Sequence, residues 1–93
     1  MMAPIFLEDT QKLMHTLRHA VQKVDAPIIR QSTHTLKGTS ASMGMTRLAQ
    51  LSRELELMAK ADDLADAPQI LAQIEDEYQR IQVALLAFSE TAV

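Results

Sequence analysis

The chain has no cysteine and no tryptophan, one tyrosine, two phenylalanines and only two glycines in 93 residues. Without thiols, neither a disulfide framework nor a thiolate metal centre can be built, and the reducing cytoplasm is the expected compartment. Long apolar runs are also missing. The densest apolar cluster, residues 83–88, falls far short of the roughly 20 residues that span a bilayer, and no basic segment precedes an apolar one at the N-terminus. A soluble protein without membrane contact is expected. The length allows one domain, residues 1–93, whose core must come from well-matched amphipathic elements.

Apolar residues make up 47% of the chain and aromatics 3%. Ala, Leu, Met, Gln, Glu, Lys and Arg dominate the rest, a composition that favours helix over sheet. The net charge of −3 argues against nucleic-acid binding, but the charge is unevenly spread. Residues 26–53 hold Arg30, Lys37, Arg47 and Arg53 and no acid, so the remainder carries −7. A local positive field on an acidic protein steers an acidic partner or a phosphate toward that region.

Asp25-Ala26-Pro27 and Asp66-Ala67-Pro68 are acidic starts followed by a proline that a first helical turn tolerates. They divide the chain into helices over about 5–24, 27–43, 46–61 and 68–89. In the first, Phe6, Thr10, Leu13, Leu17, Val21 and Val24 form one stripe; Leu48, Leu51, Leu55 and Met58 do so in the third. Ile70, Ile74, Tyr78, Ile81, Leu85 and Phe88 line the fourth. Gly44 suits the left-handed residue that ends the second helix, and Thr46 is placed to cap the third. Four amphipathic helices with short connections predict an all-α, antiparallel up-down-up-down bundle. Its stripes lack the inward carboxylates and Glu-x-x-His elements of a buried metal site, so neither metal nor cofactor is expected.

The stretch HTLKG, residues 34–38, sits inside the second helix. Ile28, Ile29, Ser32, Leu36, Thr39 and Met43 share one arc of that helix, predicted to be buried. His34 falls roughly opposite, with Gly38 directly above it, Lys37 beside it, and Gln31 and Ala41 on the same outward face. A glycine inside an exposed helix costs about 1 kcal/mol relative to alanine. What it supplies in return is space beside the imidazole for another protein's backbone. Histidine changes charge close to neutral pH, so a bare ring can offer an unprotonated nitrogen as a nucleophile. A phosphoryl group is the fitting electrophile, with Lys37 shielding its charge. No phosphate cradle or Mg²⁺ ligand set accompanies the pair, so a partner must bring them.

These residues resemble the histidine-containing phosphotransfer (HPt) domain of multistep two-component phosphorelays. The family pattern is His-x-x-Lys-Gly followed six residues later by Gly, and the chain reads His34-Thr35-Leu36-Lys37-Gly38 and then Gly44. Leu48-Ala49, Leu55-Glu56 and Phe6-Leu7-Glu8-Asp9 add to the likeness, which runs over residues 6 to about 58. The resemblance implies a four-helix bundle in which His34 accepts a phosphoryl group from a receiver-domain aspartate and passes it to another receiver, without turnover of its own. It implies that Lys37 assists the phosphoryl group, that Gly38 gives the receiver clearance, and that Glu56 lies near His34 on the adjoining helix. Many members have glutamine at that last position. Gln31, Ala41 and Arg30 complete the expected docking face, with Gly44 and Glu56 in support. The receiver would bring the aspartate and Mg²⁺. It leaves room for a receiver in the same polypeptide, as in a hybrid sensor kinase, of which this domain would be a C-terminal module.

Three other readings compete. His15 and His19 have the i, i+4 spacing of two zinc ligands, with Glu8 the nearest third candidate; a solvated face is the plainer explanation. The dimerising phosphoacceptor domain of a histidine kinase would carry an acid where Thr35 stands and a proline after the histidine, so a monomer is expected. A helical adaptor without chemistry would use Met43, Met45 and Leu57, near one end of the helix pair, as adaptable contacts.

Overall fold

The structure is a computed structural model that describes the backbone of residues 2–91 and the side chains of residues 8–87. Phe6 and Phe88, at the far ends of two predicted stripes, lie outside the described side chains. Four helices follow one another, α1 Met2–Gln22, α2 Ala26–Ser42, α3 Thr46–Lys60 and α4 Ala67–Thr91. Each helix packs on its neighbour in sequence, and α4 closes the bundle against α1. The diagonal pairs α1 with α3 and α2 with α4 do not approach among the described residues, which is the arrangement of an up-down-up-down bundle. No described helix is long and apolar enough to cross a membrane.

The core follows the stripes. Met14, Leu17 and Val21 of α1 meet Ile29 and Leu36 of α2, Leu48, Leu51 and Leu55 of α3, and Leu71, Ile74 and Tyr78 of α4 in one buried cluster. Leu13, Met58, Ile70 and Ile81 flank it, half-buried. Full burial of each aliphatic side chain contributes about 1.5–3 kcal/mol relative to exposure, so these aliphatic residues, with Tyr78 as the aromatic among them, hold a small bundle.

Two of the expected members do not belong to the core. Val24 is exposed with φ +54, past the end of α1, and Met43 is exposed at the end of α2. The buried arc of α2 is Ile29, Ser32, Thr33, Leu36 and Ser40, with Thr39 only half-buried. The shift is physical. Thr33 Oγ1 donates to the Ile29 carbonyl at 2.7 Å, Ser40 Oγ to Leu36 at 2.6 Å, and Ser52 Oγ on α3 to Leu48 at 2.8 Å. A hydroxyl satisfied four residues back on its own helix packs as a small apolar group, so these polar letters are core positions.

The helix ends explain the short connections. Asp25 caps α2, its carboxylate accepting from the Ile28 amide at 3.3 Å, and Pro27 occupies the first turn. At the other end of α2, the Gly44 amide donates to the Ala41 carbonyl at 3.1 Å and the Met45 amide to Ser40 at 2.8 Å. That pair of bonds is a Schellman motif, and Gly44 takes its left-handed position with φ +74. The same two bonds end α1 at Val24 and α3 at Asp62, where φ is +54 and +53. Thr46 is not a cap. The N-cap of α3 is Met45, without a side-chain bond, because the Schellman turn uses Met45 directly and leaves Thr46 as the first helical residue.

Candidate functional site

His34 lies at the middle of α2, with 72% of its side chain exposed. It is not isolated on the face opposite the core; it leans across the seam with α3. Its Nδ1 is 2.9 Å from Oε2 of Glu56, whose side chain is only 4% exposed. Lys37, one turn along α2, donates from Nζ to the other oxygen, Oε1, at 2.7 Å. One buried carboxylate therefore holds two surface side chains, one oxygen each.

Glu56 is held ionised. The Lys37 hydrogen bond lowers its pKa below the ordinary 4.5 most strongly, burial opposes that, and the His34 bond and the charges of Lys37 and Lys60 add to the lowering. An ionised carboxylate only accepts, so Nδ1 of His34 carries a proton, and in the neutral ring Nε2 keeps the lone pair. The arrangement thus selects the tautomer and leaves the free nitrogen on an exposed ring.

The surroundings are cationic on both sides of the ring. Toward the start of α2, an open groove is lined by Pro27, Arg30, Gln31, Thr35 and Lys60. Toward the α2–α3 turn, a shallower groove runs between Lys37 and Arg53 over Ala41, Gly44 and Ala49. Arg30, Gln31 and Ala41 are exposed on this face, as is Gly38. A Cβ built on Gly38 would meet nothing within 4 Å. Among the described residues, no packing or turn calls for glycine at that position.

Helical spacing placed Lys37 and Gly38 beside His34 and the family resemblance placed Glu56 near it, but neither gave the sharing of Glu56 by Lys37 and His34. Lys60 was missed altogether because it lies outside the acid-free stretch, although its position four residues after Glu56 on α3 was available as a signal. Arg47 belongs to the stretch but not to the site; its guanidinium donates to Gln73 Oε1 on α4 at 3.4 Å. His15 and His19 are exposed on α1, and the described residues contain no group of three side chains that could hold a metal ion. The three adaptor contacts are not near one end. Leu57 sits near the far end of α3, about 16 Å along the helix from the turn that carries Met43 and Met45, and Met45 is half-buried against the core.

No functionally curated protein matches the sequence. Among solved structures, the chain is similar to histidine-containing phosphotransfer protein B (HptB) from Pseudomonas aeruginosa PAO1. The two are 29% identical and superpose with a TM-score of 0.91, over 96% of this chain and 77% of that one. The family model of the Hpt domain matches residues 1–84, nearly the whole length and all of the α2–α3 site, and the chain therefore belongs to the Hpt domain family.

Proposed function

We propose that His34 is a phosphoryl carrier, loaded from the aspartyl phosphate of one receiver domain and unloaded onto the aspartate of another. Hpt domains interact with receiver domains in phosphorelays. The observation that supports His34 is the Nδ1 contact of an exposed imidazole with a buried, ionised carboxylate, which leaves Nε2 as the nucleophile. Phosphoryl transfer depends mostly on positioning and charge stabilisation. Here Glu56 orients the ring, Lys37 supplies a cation close to the incoming group, and Arg30 and Lys60 draw an acidic pocket toward the seam. Gly38 leaves clearance for the receiver.

The carrier has no turnover of its own. The receiver brings the aspartate and the Mg²⁺ that balances the transferring charge, and the bundle works as a monomer, on receivers in other chains or in its own polypeptide. Incubation with a phosphorylated receiver tests the assignment. The wild-type chain should gain acid-labile, alkali-stable phosphate and His34→Gln should gain none; equal uptake by both would refute it.

A further inference from the structure

In the resting site one anion, Glu56, lies between two donors, the ring Nδ1–H and the Lys37 ammonium. Phosphorylation at Nε2 changes the charges on both sides of it. The lone pair of Nε2 forms the N–P bond, the P–O bond of the acyl phosphate breaks, and its electron pair leaves with the aspartate carboxylate. The ring retains its Nδ1 proton and so becomes a phosphoimidazolium, a cation bearing a dianionic phosphoryl group. A new cation now faces Glu56 at hydrogen-bond distance, and a new dianion stands one helical turn from Lys37.

We propose that loading exchanges the ion pairs: Lys37 leaves Glu56 for the phosphoryl group, while Glu56 stays on Nδ1–H and holds the phosphorylated ring in its protonated form. This rests on the reading of His34 as the phosphoacceptor. Side-chain mobility favours the exchange in that direction. Glu56 is buried and anchored on α3, whereas Lys37 is one-third exposed on a flexible stem. The charged groups bordering the ring are Arg30 and Lys37 from α2 and Glu56 and Lys60 from α3. The cations oppose a ring proton, but among the described residues only Glu56 contacts it, and the phosphoryl dianion takes up Lys37.

The consequence is transfer without proton movement. On unloading, the N–P bond breaks, its electron pair returns to Nε2, and the neutral ring reappears with the same Nδ1 proton. A cationic ring is also a better leaving group than a neutral one. Glu56 therefore acts as a positioning and charge-balancing residue that keeps the phosphoryl group reactive at a pH where a free phosphorylated ring has lost its proton.

Hydrolysis of the N–P bond reads this out without any receiver. The chain is phosphorylated with phosphoramidate, and loss of phosphate is followed by phosphorus NMR across pH. The pH at which hydrolysis slows should lie about one unit higher in wild type than in Glu56→Gln, which keeps the acceptor but not the charge. Coincident profiles would overturn the role of Glu56 while leaving His34 as the acceptor. Should Glu56→Gln not fold, nitrogen NMR of the wild-type ring decides. Nδ1 should stay protonated above the pH at which a phosphorylated histidine peptide has lost its proton, and matching titrations would overturn the proposal. Failure of the wild-type chain to form phosphohistidine at residue 34 would instead refute the carrier reading, and the inference with it.

Discussion

Three histidines lie exposed on helix surfaces, but on different faces of the bundle. His15 and His19, on α1, border a groove with Lys23 and Asp25, and no hydrogen bond or ion pair among the described residues holds either ring. His34, on α2, is anchored by a buried acid, flanked by cations and set beside a glycine that the fold does not require. Exposure is thus common to all three, and preparation is confined to one. An imidazole becomes a candidate nucleophile when a neighbouring group selects its tautomer and the surface next to it is left open.

The largest effect should come from exchanging the two faces' roles. His34→Gln removes phosphate uptake from a phosphorylated receiver, whereas the double variant His15→Gln/His19→Gln transfers at the wild-type rate in the same radiolabel assay. Loss of uptake in the double variant would mean that exposure on α1 matters after all.

Gly38 and Gly44 sharpen the contrast. Gly44 occupies a left-handed turn, where any other residue is strained, and Gly38 is helical with empty space around it. Filling Gly38 should therefore stabilise the bundle and harm the site. Gly38→Leu is expected to raise stability by somewhat under 1 kcal/mol, a few degrees in melting temperature for a chain of this size. It should slow transfer from a receiver by about tenfold or more, the factor that 1.4 kcal/mol of obstruction corresponds to. Lys37→Ala should slow transfer by about tenfold to a hundredfold while a receiver still binds, which titration calorimetry separates from a docking defect.

Glu56 links the site to stability through pH. Its folded-state pKa is lowered, chiefly by Lys37, so the stability it contributes is fully present above about 4.5 and is lost as pH falls through the lower folded value. In thermal melts, wild type should lose its advantage over Glu56→Gln below pH 4.5. A constant difference across that window would show that the carboxylate's charge contributes nothing to folding.

The smallest effect concerns the loop at the end of α1. Val24 holds φ +54 in a motif where Gly44 serves the corresponding turn after α2. A β-branched residue is strained there, and it is exposed, so little packing is lost on removal. Val24→Gly should be stabilising by about 1 kcal/mol, less the greater freedom glycine gives the unfolded chain, with transfer unchanged. Destabilisation in a urea melt would show that Val24 contributes packing its exposure does not suggest.

The bundle was legible because the apolar spacing of α1, α3 and α4 is regular and the Asp-Ala-Pro start and Gly44 punctuate the chain. The buried face of α2 was less so. Thr33 and Ser40 are polar letters that become core through bonds to their own helix, and helical periodicity cannot distinguish such residues from solvated ones. The same limit hid the seam. His34 and Lys37 could be placed on one face of α2, but which oxygen of Glu56 each would hold depends on the approach and rotation of α3, a tertiary fact. Val24 was drawn into the α1 stripe because its spacing fits, and the Schellman turn overrides that spacing by ending the helix at Gln22.

Locating the transferred phosphate by tandem mass spectrometry, after brief incubation of the wild-type chain with a phosphorylated receiver and capture at alkaline pH, tests the central claim most directly. The account predicts a single modified residue, His34, with His15 and His19 unmodified. Phosphate on either of those two, or on a serine or threonine while His34 remains bare, would contradict it.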